Sequence, residues 1–208
     1  MNLQKLREAE SLFLLRYPGG FEHEDMQRIG RKHNVGRLAD FAATALGKDR
    51  FRNQGQVLDD IVKIVARSSM VSMFEKPKFR DCVNGLNRDD RSLLANGFKA
   101  LLHGRQEQGF NNVVDVLADA RLAKWSLLTA CLFYYHPQTE VFIKPTTTKN
   151  VIRQFEFEAL TYRPRPTWDF YAGYRDAIET MKSHVDPSLS PNNAAFTGFL
   201  MMSTAVDH

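Results

Sequence analysis

The chain is poor in cysteine. Cys82 and Cys131 are the only two in 208 residues, far apart and with no CxxC spacing. That excludes a disulfide scaffold and a cysteine-based zinc site, and it fits a reducing compartment. Long apolar runs are also missing, since none approaches the roughly 20 residues a membrane-spanning helix needs. The first twenty residues, MNLQKLREAESLFLLRYPGG, scatter charges through their apolar positions and lack a signal-peptide core and cleavage site. A cytoplasmic location without membrane contact is therefore expected. Catalytic signatures are equally scarce. His23, His33, His103, His136, His184 and His208 show no HExxH or other ligand spacing. There is no Gly-rich phosphate loop and no GxSxG elbow. In FEKPK, Pro77 stands where a carboxylate-x-Lys nuclease triplet needs lysine. No cofactor and no metal is expected.

What is present is an ordinary globular balance of 43% hydrophobic and 25% charged residues, enough to bury a real core and too apolar for disorder. The whole chain carries a net charge of +4, but its distribution is uneven. Residues 26–52 hold seven basic side chains (Arg28, Arg31, Lys32, Arg37, Lys48, Arg50, Arg52) against Asp40 and Asp49, an excess of five, so the remainder sums to −1. An excess confined to one segment points to a polyanionic partner more strongly than a diffuse one.

Helical periodicity dominates. Leu3, Leu6, Leu12, Phe13 and Leu15 mark a first helix that YPGG ends. From Val57 to Met70, Val57, Leu58, Ile61, Val62, Ile64 and Val65 share one face and Asp59, Lys63 and Arg67 the other. Asp89 or Asp90 is placed to cap a helix bearing Leu93, Leu94, Phe98, Leu101 and Leu102 and stopped at Gly104. Another helix covers Gln106 to Ala120. Thr167 opens one with Tyr171, Tyr174, Ile178, Met181 and Val185 on a stripe, and AAFTGFLMM forms a last apolar helix. The stretch ACLFYYHPQTEVFIKP suits a hairpin around HPQTE, although Leu122 to Tyr134 also reads as a buried helix. The expected fold is mainly α, a multi-helical globular bundle with at most one small β-hairpin. It forms a single helical unit over 1–208, with a possible subdivision into 1–104 and 105–208. The expected core includes Leu58, Ile61, Val65, Leu94, Phe98, Val114 and Ile178.

Two segments can carry a binding function. Residues 24–47 read as two short helices around HNVG, where Asn34 or Gly36 supplies the left-handed residue of a tight turn. The run IGRKHNVGR resembles the helix-turn-helix of bacterial regulators, with small Gly30 near the crossing, Asn34 in the turn and Val35 as the apolar plug. Where that motif wants a buried branched residue in its second helix, this chain has Asp40, so Leu38 and Phe41 must supply the packing. The same segment also reads as a solvated helix whose acidic start and basic end complement its dipole.

The second segment is EVFIKPTTTKNVIRQFEF. Lys144, preceding Pro145, is pushed out of helical conformation, and Pro145 and Thr146 begin a helix whose free N–H groups suit an anion. Lys149, Asn150, Arg153 and Gln154 share its polar face, residue types that contact bases and phosphates. The bland alternative is a Thr-capped surface helix. Further on, YRPRPTWDFYAGYR mixes Arg163, Arg165 and Arg175 with Tyr162, Trp168, Tyr171 and Tyr174; Tyr171 and Tyr174 read as core, with Trp168 open.

The expected function is nucleic-acid binding through Arg28, Arg31, Lys32, Arg37, Lys144, Lys149, Asn150 and Arg153. One alternative is a non-catalytic module for a protein partner, using Phe199 and Leu200 of FTGFLMM. Another is an enzyme with an unfamiliar site, using Lys144, His136 and Glu140.

Overall fold

The structure, a computed structural model, describes residues 1–204. Eleven α-helices and three 3-10 turns make up its regular structure, and no strand occurs among the described residues. The chain is an all-α, multi-helical protein. The helices are α1 (Leu3–Arg16), α2 (Glu24–His33), α3 (Val35–Ala45), α4 (Gln54–Arg67), α5 (Glu75–Gly85), α6 (Arg88–His103), α7 (Gln106–Asp119), α8 (Trp125–Tyr135), α9 (Pro145–Gln154), α10 (Trp168–Lys182) and α11 (Asn193–Ser203). No helix among the described residues is long and apolar enough to cross a membrane.

At the centre lies α8, buried from Trp125 through Tyr134. It packs against α3, α4, α6 and α7. Burial on every side explains why its sequence shows no amphipathic period: there is no solvent face to carry polar residues. The hairpin reading of this stretch is thereby corrected. Its first half is α8, and its second half, Val141 to Ile143, is an irregular segment fully buried in the core. Side chains take the place of a strand partner there. Ile143 N–H donates to Thr129 Oγ1 at 3.1 Å, and Asn193 Nδ2 donates to the Glu140 carbonyl at 2.8 Å. A buried backbone must find such partners.

The tightest pair is α6 and α7, linked only by Gly104 and Arg105 and running antiparallel. A Cβ on Gly109 would stand 2.2 Å from the Leu101 nitrogen, and one on Gly97 would stand 2.9 Å from Val113 Cγ2. Two glycines facing the partner helix therefore set this approach. The cap of α6 is Asn87, and not Asp89 or Asp90. Its Oδ1 accepts from Asp90 N–H at 2.9 Å while its Nδ2 donates to Asp90 Oδ2 at 2.7 Å. With Asn87 as the cap, Asp89 and Asp90 fall in the first turn, where their negative charge complements the helix dipole.

Near the start of the chain, α1 contacts α11. Leu6 and Phe13 are the buried members of α1, whereas Leu12 and Leu15 face solvent, so its apolar stripe is narrower than its leucines suggest. Asn2 N–H donates to the Phe155 carbonyl, and Lys5 Nζ lies 2.6 Å from Glu156, which ties the start of α1 to the end of α9. The seven expected core residues, from Leu58 to Ile178, are all buried.

Candidate anion-binding cavity

The helix α4 ends at Ser68, whose hydroxyl shares a buried 2.9 Å hydrogen bond with Tyr134 and accepts from Met70 N–H. The chain from here to α5 is held rather than loose. Val71 is buried, and the Ser72 carbonyl accepts from Glu75 N–H at 3.0 Å and from Lys76 N–H at 3.2 Å. This loop forms one wall of a surface cavity of about 530 Å³.

Two helix starts form the facing walls. Lys124 is the residue before α8 and Lys144 the residue before α9. Both are extended, and neither helix has a side-chain cap. For Lys144 the cause is Pro145, whose ring excludes helical geometry from its predecessor. Uncapped helix starts leave N–H donors without intrahelical acceptors and carry a partial positive charge. Both lysines line the cavity, with Tyr162 and Pro164 closing its rim. The connector bearing Tyr162 is pinned by Trp125 Nε1, which donates to the Arg163 carbonyl at 2.8 Å.

One carboxylate shares the space. Glu75 Oε2 accepts from the Ser126 hydroxyl at 2.6 Å, and Glu75 sits in the first turn of its own helix, where the dipole offsets a negative charge. Two lysines against one partly satisfied carboxylate leave the cavity net positive. It can hold an anionic group by charge and by backbone N–H donors together.

The end of α2 touches the loop that walls this cavity. His33, the last residue of α2, places Nδ1 3.1 Å from Ser69 Oγ, and Ser69 lines the cavity. Arg31, Lys32 and Arg37 are exposed and make no ion pair among the described residues. Arg28 is exposed as well, but Asp25 Oδ1 takes it at 2.6 Å. On α9, only the Lys144 end faces the cavity. Lys149 Nζ stands 5.8 Å over the Tyr162 ring, and Arg153 Nη2 donates to Asn150 Oδ1 at 3.3 Å. These contacts turn the two like charges to different partners, so no anion is needed between them. The helix carries no threonine cap, and Thr147 and Thr148 are buried.

Asn34 does take the left-handed conformation, with φ 54° and ψ 28°. The helix crossing of the helix-turn-helix does not follow from it. A Cβ on Gly30 would meet nothing within 4 Å, Ile29 is 41% exposed, and α3 packs instead on α8 and α4. The turn is shared with that motif, and the close crossing is absent.

The other expected groups lie apart from the cavity. Phe199 and Leu200 are buried, with Phe199 edge-on to Phe13 at 5.3 Å, so they cannot anchor a partner as proposed from the sequence. Glu140 is sealed inside, accepting from Tyr171, Gln106 and Arg175, while His136 Nε2 lies 3.2 Å from the Leu102 carbonyl. With Lys144 in the cavity, those three residues do not face a common space. Tyr171 and Tyr174 are core, and Trp168 is covered in part by the Arg175 guanidinium at 5.6 Å. Burial pushes the Cys131 thiol up to about 12 and also raises Cys82, so neither offers a ready thiolate. His208 lies outside the described residues.

Sequence reasoning reached Lys144 and missed Lys124, Glu75, Ser126 and the 68–72 loop. No local pattern relates those positions; they converge only because α4, α5, α8 and α9 pack as they do. No protein-family model matches the chain, and neither curated proteins nor solved structures gave a match.

Proposed function

We propose that this protein binds nucleic acid through its phosphates, with one phosphate held at the cavity between Lys124 and Lys144 and the strand continuing over the exposed end of α2. The observation that carries the reading is the His33–Ser69 contact. It sets the last turn of α2, which carries the exposed Arg31 and Lys32, against the loop that walls a cavity already furnished with two lysines and two uncapped helix starts. Arg37, in the first turn of α3, is exposed and adds a further positive charge to the same segment. Neutralising several phosphates along such a path is the main source of affinity in sequence-independent recognition.

Fluorescence anisotropy with a labelled oligonucleotide tests it. A K124Q/K144Q double variant removes both cavity charges and leaves the core intact. Binding should weaken about a hundredfold or more, because hydrogen bonds to charged groups contribute about 1.5–3 kcal/mol each and two are removed. Equal affinity of wild type and double variant, with both folded by circular dichroism, would overturn the proposal.

A further inference from the structure

Beside the cavity, the structure displays a large apolar side chain that nothing in the fold uses. Phe74 is 82% exposed and Met73 81% exposed, in a molecule that buries most of its other aromatic rings. The backbone that carries the ring is held. Phe74 N–H donates to Ser72 Oγ at 3.3 Å, and the Ser72 carbonyl holds the next two residues as α5 begins. The ring is thus carried on a hydrogen-bonded turn whose flanking residues, Ser72 and Glu75, both line the cavity.

We infer that Phe74 is a stacking platform for an unpaired base, and hence that the nucleic acid bound is single-stranded. The inference rests on the phosphate-binding reading of the cavity. Phe74 lies in the chain between two residues that line the cavity, which places the ring next to any base attached to a phosphate held there, and a ring with free faces is what stacking requires. In a duplex the bases already stack on one another and offer only their edges.

A lipid surface is the poorer occupant. Membrane-surface helices present an apolar face, whereas α5 opens with Glu75, Lys76, Pro77 and Lys78 and continues with exposed Arg80 and Asp81. Two exposed side chains without an apolar helix behind them make a small anchor. The positive cavity alongside complements a phosphodiester strand.

The test compares wild type, F74A, F74W and K144Q on four probes: a single strand, the same sequence as a duplex, an abasic strand of equal length, and vesicles containing phosphatidylserine. Phe74 is solvent-exposed, so F74A is expected to fold. F74A should lose about 5- to 100-fold in affinity for the single strand, and F74W should restore it. On the abasic strand, which keeps its phosphates, F74A should bind like wild type. If K144Q weakens the single strand and F74A does not, the stacking inference falls while the phosphate reading stands. Loss of vesicle binding in F74A without loss of strand binding would also overturn it, in favour of lipid. A wild type that binds none of the strands sinks both.

Discussion

Tyr171 donates its phenolic hydrogen to Glu140 Oε2 across 2.6 Å, inside a pocket where Gln106 and Arg175 supply the other contacts to the same carboxylate. Burial first, and then the Glu140 charge and its hydrogen bond, hold the Tyr171 hydroxyl well above the usual tyrosine range, so it stays protonated and donates. Because Arg175 lies 3.1 Å from Glu140 Oε1 and also over the Tyr171 ring, one network ties α10 to α7 and to the buried 140–143 segment.

Removing that hydroxyl should therefore cost stability without moving the ring. Tyr171→Phe leaves a buried carboxylate oxygen short of its closest donor, at a cost of about 1–3 kcal/mol. Urea denaturation should show a lower midpoint at unchanged slope. An unaltered midpoint would mean that Arg175 and Gln106 satisfy Glu140 by themselves.

Two glycines should respond in opposite directions to alanine. Gly109→Ala drives a methyl against the Leu101 backbone, which cannot rotate away, and should destabilise by about 3 kcal/mol. Gly30→Ala meets only solvent within α2 and should stabilise by about 0.5–1 kcal/mol. Thermal melts of both variants check this pair. A destabilised Gly30→Ala would reinstate the close helix crossing that the structure lacks.

Acid should act partly through His103. Its Nε2 lies 2.7 Å from the Leu46 carbonyl, between the edges of Phe51 and Tyr135. Burial holds its pKa below 6.5 despite the Leu46 carbonyl, with His136, Lys48 and Lys99 adding to the lowering. The neutral ring is therefore favoured in the fold, and the unfolded chain takes up a proton first as pH falls. Stability from this group is complete above pH 6.5 and is lost as pH drops from there toward the folded-state pKa. Unfolding titrations of His103→Gln, which keeps a donor but no titration, should show a shallower decline below pH 6.5 than wild type.

The basic flank should register in salt dependence. Arg31→Ala, Lys32→Ala and Arg37→Ala together should flatten the slope of log affinity against log salt. Each phosphate contact is worth about 0.7 units on a single strand and about 0.9 on a duplex, so the loss is up to about two to three units. Binding isotherms at several salt concentrations measure it, and an unchanged slope would place the strand elsewhere on the surface.

What could be read along the chain is what depends on neighbours along the chain. The apolar period over Val57–Val65 placed α4, and Leu94, Phe98 and Leu101 placed α6, because a helix with one wet face must repeat its polar residues. Gly104 ended α6, and Lys144 was extended before Pro145, since both follow from local backbone sterics. The left-handed Asn34 belongs with them. Leu12 and Leu15 misled, because an apolar residue type does not say whether a partner helix arrives to cover it.

Packing decided the rest. A helix buried on all sides, as α8 is, has no periodicity to reveal it, and its aromatic and β-branched residues read equally well as strand. Whether Phe199 was a contact surface or core depended on where α1 lay. The cavity joins Ser69, Glu75, Lys124, Ser126, Lys144 and Tyr162, positions up to 93 apart in number, and the His33–Ser69 contact sets the end of α2 against the loop that walls it. By itself, the sequence determined an all-α chain, most of its core and one localised excess of positive charge, because secondary structure and solvation are governed by residue order and type. The tertiary structure alone decided which charges share a space, because their convergence is a property of how the helices pack.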